Sequence, residues 1–131
     1  MKILRILLIV FAATSLLNSC SYNFIVPEEV PVIDPDDPNA PQVSFANDII
    51  PIFVNNNNCS SCHNGNQAPD LRAENAFAAI NTSRYINTAS PEESRIYKYC
   101  SPETTTHMRK KYNSAQAALV LAWIRQGAKN N

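Results

Sequence analysis

The chain has 131 residues, 45% of them hydrophobic and 17% charged, with eleven basic and eleven acidic side chains in formal balance; that is the composition of one modest globular domain. Two glycines against nine prolines exclude the glycine-rich loops that cradle nucleotide phosphates. No stripe of Lys and Arg interleaved with aromatics is present, which excludes nucleic acid as a partner.

In chain order, Lys2 and Arg5 precede an apolar run from Ile6 to Leu17, which closes on Leu17-Asn18-Ser19-Cys20. This is a secretory signal, too short to span a bilayer comfortably. Small residues leading into a cysteine resemble a bacterial lipoprotein signal. Residues 1–19 are then expected to be removed and Cys20 to become the lipid-modified amino terminus; the competing reading is a plain signal peptide with an unrelated cysteine. Residues 20–41 follow, with Val26-Pro27-Glu28-Glu29-Val30-Pro31 and a second cluster from Asp34 to Pro41. They hold five acidic residues and no basic one. Proline stiffens such a stretch and its acids keep it solvated, so it is expected to be a disordered tether.

Residues 42–131 carry nine Lys and Arg against six Asp and Glu, a mildly cationic domain. Its periodicity is helical. Ser44 caps a segment to Val54 that places Phe45, Ile49, Ile52 and Phe53 on one face, with Pro51 in an early turn or at a kink. Arg72–Ile80 and Glu92–Tyr99 read as two short helices, the second entered through Ser90-Pro91. The last helix begins at Asn113 or Ser114 and ends before Gly127. Ala117, Val120, Leu121 and Ile124 form its stripe, and Leu119 and Trp123 widen it, so this helix is expected to be sandwiched. No strand-like alternation competes, and the fold class is all-α.

Between the first two helices stands Cys59-Ser60-Ser61-Cys62-His63. This spacing is that of c-type haem attachment: two thiols three apart form thioethers with the vinyl groups on one edge of the macrocycle, and the next residue, His63, reaches the iron. One covalent haem c is expected. Other chemistries use related patterns. A dithiol redox pair uses CxxC, a zinc site can be composed from Cys59, Cys62, Cys100 and His107, and a Cys59–Cys62 disulfide would close a very short loop. Short helices around a marginal core also need a common apolar surface, so the haem-free chain is expected to fold poorly.

The sixth iron position has two candidates. After removal of the signal, Met108 is the one methionine left, and His107 the one histidine besides His63. Both sit in the polar, glycine-free loop Ser101–Asn113. Met108 is the first reading, His107 the alternative, and an open or water-bound iron the third. Cys100 is expected to be a buried free thiol.

Together these residues resemble the monohaem c-type cytochromes found as exported bacterial lipoproteins. The resemblance covers residues 43 to 129. It rests on Phe45-x-x-Asp48-Ile49-x-Pro51-Ile52 before the haem motif and Pro69-Asp70-Leu71 after it, then Ser90-Pro91-Glu92-Glu93-Ser94, His107-Met108 and Ala122-Trp123-Ile124-x-x-Gly127-Ala128. Arg109 stands where that family has proline. The resemblance implies the compact cytochrome c fold, with first and last helices crossing beside the haem and Trp123 packing near it. It also implies an electron carrier in the cell envelope, held to a membrane by its lipid, facing the periplasm or outside, with redox proteins as partners and no small-molecule substrate. The alternatives are a haem peroxidase or gas sensor with an open distal site, and a zinc-stabilised interaction module.

Overall fold

The computed structural model describes residues 39–131, together with Ile3, Ile33, Asp34 and Asp37. The signal segment, Cys20 and most of the tether lie outside the described residues. Among these, no helix is long and apolar enough to cross a membrane.

Ser44 begins the first helical segment: its hydroxyl accepts from Asn47 N–H at 3.1 Å, and the Asp48 carboxylate accepts from Ser44 N–H at 2.7 Å. A π-helical turn, Phe45–Ile49, runs directly into α1, Ile50–Val54. The widened turn comes immediately before Pro51, which has no N–H to give to the preceding turn, so the helix passes the proline by widening. The four apolar residues of the expected face, Phe45, Ile49, Ile52 and Phe53, are all buried.

Two of the expected helices are shorter than their sequence pattern. Of Arg72–Ile80 only α2, Ala76–Ile80, is α-helical. The Asp70 carboxylate accepts from Arg72 N–H at 3.2 Å, from the Arg72 guanidinium at 2.6 Å and from Asn75 Nδ2 at 2.8 Å, so a side chain rather than the helix ladder orders the first residues. The Glu92–Tyr99 segment divides into a 3₁₀ turn, Pro91–Glu93, and α3, Arg95–Lys98. The break is at Ser94, buried to 1% exposure with ψ of 126°. Its hydroxyl accepts from Asn87 N–H at 2.9 Å; burying that oxygen with its partner holds the backbone out of helix.

The final helix, α4, spans Ser114–Arg125. Asn113 and Gln116 form a reciprocal capping box at 2.7 and 3.1 Å. At the other end Gly127, at φ +95°, donates to Ile124 C=O at 3.0 Å, and Ala128 N–H donates to Trp123 C=O at 2.9 Å. That is a Schellman ending, which needs a left-handed residue where glycine stands. It also returns Ala128 into the core and brings Lys129 C=O within 2.9 Å of the Trp123 indole N–H. The terminal Trp-Ile-x-x-Gly-Ala pattern is thus a helix stop with a buried aromatic anchor.

The two ends of the described helical domain are joined. Val43 N–H donates to Gln126 Oε1 at 2.8 Å, and Ala46 N–H donates to Asn131 C=O at 2.9 Å. Above these contacts Trp123 meets Phe45 with ring centroids 5.1 Å apart, and Phe45 meets Phe77 edge-on at 5.1 Å. The described domain is all-helical, without a strand. Trp123 is 1% exposed, and Trp123→Ala is expected to cost about 3–5 kcal/mol. Thermal or denaturant unfolding measures this, and an unchanged midpoint would disprove the anchoring role.

Candidate functional site

Cys59, Cys62 and His63 follow α1 through a tightly built turn. Asn56 takes φ of 54° within the 3₁₀ turn Asn55–Asn57, and Asn58 Nδ2 donates to Ile52 C=O at 2.8 Å, which ends α1 and turns the chain outward. A second 3₁₀ turn, Cys59–Ser61, lets Cys62 and His63 both donate their N–H to Cys59 C=O, at 3.2 and 3.0 Å. The motif is therefore folded on itself. Cys59, Cys62 and Cys100 are free thiols.

His63 is fixed by the segment that follows it. Its C=O accepts from Leu71 N–H at 2.8 Å, and its Nδ1 lies 3.1 Å from Pro69 C=O. A carbonyl only accepts, so Nδ1 donates its proton to it. A contact of this kind orients a histidine that ligates a metal.

The opposite wall comes from the loop between α3 and α4. Tyr112 N–H donates to Cys100 C=O at 2.8 Å, closing the loop, and the buried Tyr112 hydroxyl donates to Ile96 C=O at 3.0 Å. Within it, Lys111 Nζ donates to Pro102 C=O at 2.9 Å and Thr104 C=O at 2.7 Å. On this loop the His107 ring lies with its centroid 6.3 Å from that of His63, the planes inclined by 26°. His107 Nδ1 is buried without a hydrogen-bond partner, a state that costs about 1–3 kcal/mol unless something else engages the ring.

Between the two walls lies a cavity of about 740 Å³, within the roughly 300–1,000 Å³ range of cofactor-sized ligands. Cys59, Cys62, His63, Cys100 and His107 all line it. Leu71, Tyr85, Ile96 and Tyr112 give it an apolar surface. Met108 reaches its edge but is 96% exposed. Trp123 is not on this wall; it is packed on Phe45. Sequence reasoning singled out neither Tyr112 nor Arg84 and Arg95, which also line the cavity. No local pattern marks them, because the fold alone brings them to it.

Burial pushes the Cys59 thiol up to about 12 and that of Cys100 up to about 11, while Cys62 is exposed. Among the described residues no three His, Cys, Asp or Glu side chains form a group that could hold a metal ion by themselves. No family model, curated protein or solved structure matches the chain.

Proposed function

We propose that the domain holds one haem, covalently attached through Cys59 and Cys62, and serves as a single-electron carrier of the cytochrome c type. The observation that carries this reading is the pair of imidazoles facing each other across the cavity above the CxxCH turn. The His63 and His107 ring centroids are 6.3 Å apart, and both residues line the cavity. Two protein donors suit a metal that brings its remaining donors with it, as iron in a macrocycle does.

Each residue then has a role. Cys59 and Cys62 would supply the thioether sulfurs. His63, its Nδ1 proton held by Pro69 C=O, would offer Nε2 to the iron. His107 fits the opposite side better than the exposed Met108. A haem supplies one-electron chemistry, its iron alternating between ferric and ferrous. Leu71, Ile96 and Tyr112 exclude water around it. If His63 and His107 both held the iron, no substrate site would be needed, which favours carrier over peroxidase or gas sensor. The tether and a lipid on Cys20 would hold the domain at a membrane of the cell envelope.

Expression in a host with haem-attachment machinery tests this. The intact mass should rise by one haem, and the reduced protein should show sharp low-spin bands. A protein without a Soret band would refute the reading; broad high-spin bands would favour the open-site alternative.

A further inference from the structure

His63 is held by one short segment, and that segment is itself held. Pro69 C=O lies 3.1 Å from His63 Nδ1, and Leu71 N–H donates to His63 C=O at 2.8 Å. Asp70 stands between these two contacts in the chain, and both of its carboxylate oxygens are engaged. Oδ1 accepts from Arg72 N–H at 3.2 Å and from Arg72 Nε at 3.0 Å; Oδ2 accepts from Arg72 Nη2 at 2.6 Å and from Asn75 Nδ2 at 2.8 Å. Two guanidinium nitrogens on two carboxylate oxygens fix direction as well as distance.

A single ion pair near the surface adds little to stability, but this one connects two parts of the domain. Arg72 C=O accepts from Asn75 N–H at 3.0 Å and from Ala76 N–H at 2.8 Å, at the entry to α2, whose Ala76 and Ile80 are fully buried. The carboxylate thereby ties the 69–71 segment to a helix seated in the core. On its other side the pair closes over the turn that leaves His63. A Cβ on Gly65, which has φ of +97°, would come within 3.2 Å of Arg72 Nη2 and 3.5 Å of Asp70 Oδ2; glycine suits both the backbone angle and the close approach. The Arg72 hydrogen bond also holds the Asp70 carboxyl well below the usual carboxylate range, so near neutral pH it is ionised and acts only as an acceptor.

We propose that Asp70 is a positioning residue for His63: clamped by Arg72 and Asn75, it keeps the Pro69 carbonyl where it receives the Nδ1 proton, and so fixes the plane and the tautomer of the imidazole. The clamp is a property of this chain alone, whereas its effect on iron rests on the haem reading. A ligating histidine whose outer N–H is well bonded is the more basic donor and favours ferric iron. Releasing the segment should weaken that bond, free the ring to turn and move the potential in the positive direction.

The test compares the haem-loaded full chain with Asp70→Ala, Asp70→Asn and a control, Glu93→Ala, which removes a carboxylate paired with Lys98. Proton NMR of the reduced protein follows exchange of the His63 Nδ1 proton with solvent, and a redox titration gives the potential. Asp70→Ala should speed the exchange by about tenfold or more and shift the potential positive. Asp70→Asn, which keeps an oxygen for Arg72 N–H, should fall between it and the parent, and Glu93→Ala should leave both readouts at parent values. Parent-like exchange and potential in Asp70→Ala would overturn the role, and so would equal shifts in Glu93→Ala, the mark of general loosening. Should Asp70→Ala fail to fold, Asp70→Asn and Arg72→Gln carry the same comparison. A chain without a Soret band fails at the haem reading instead. The clamp is then read from the ring-nitrogen NMR shifts of His63 in the haem-free full chain, with Nδ1 protonated in the parent and the two tautomers mixed in Asp70→Ala; an unchanged tautomer would overturn it.

Discussion

Changing both Cys59 and Cys62 to Ala is expected to abolish covalent haem retention completely, with the haem mass lost from the denatured protein and haem staining lost from denaturing gels. In the proposed attachment both thioethers would come from these two sulfurs, which lie on the turn that presents His63. Cys100 lines the same cavity but lies on the opposite wall, and burial holds its thiol up to about 11, so it is not expected to substitute for either. Single variants should keep one thioether and an altered spectrum. A double variant that carries haem through denaturation would disprove the attachment, and would point to Cys100 as the remaining sulfur.

The second large effect separates two adjacent residues. His107→Ala is expected to convert a low-spin, six-coordinate spectrum to a high-spin one and to allow carbon monoxide binding that the parent lacks, whereas Met108→Ala should change neither. The side chain of Met108 is 96% exposed, while the His107 ring stands 6.3 Å from that of His63. Two imidazoles also imply a lower potential than an imidazole and a thioether, because neutral soft sulfur favours ferrous iron. His107→Met should therefore raise the potential by on the order of 0.1 V or more. If Met108→Ala opens the iron and His107→Ala does not, the loop rearranges on haem binding and the ligand pair is His63 and Met108. A sulfur-to-iron band in the near infrared of the oxidised parent would say the same.

Much of the local architecture was legible in the residues themselves. Ser44, Asn113 with Gln116, and Gly127 punctuate helices through side-chain and backbone bonds spanning only a few residues, and such interactions need no tertiary partner. The Cys59–His63 motif is local in the same sense: its spacing alone restricts where two sulfurs and an imidazole can point. The resemblance that reads a cytochrome fold into these elements belongs to the proposal, whereas the helical class is a property of the described residues.

Other features were decided only in three dimensions. The α2 and α3 segments fall short of their sequence patterns because Asp70 and Ser94 bind backbone that a helix would otherwise use, and burial of Ser94 depends on what packs over it. Neighbours in sequence, His107 and Met108 have chemistry that qualifies either as a ligand; the closure of their loop by Tyr112 and Lys111 turns one toward His63 and leaves the other in solvent. Trp123 belongs to an apolar stripe visible in the sequence, yet whether it meets a cofactor or Phe45 is set by how the first helical segment lies against α4. The presence of Arg84 and Arg95 on the cavity wall has no sequence signature, since residues far apart in the chain share a face only once it is folded. What the sequence by itself determined is the set of short-range bonds and the spacing of two thiols and an imidazole within one turn; which distant groups face one another, and so that His107 rather than Met108 lies near His63, follows from packing around the cavity.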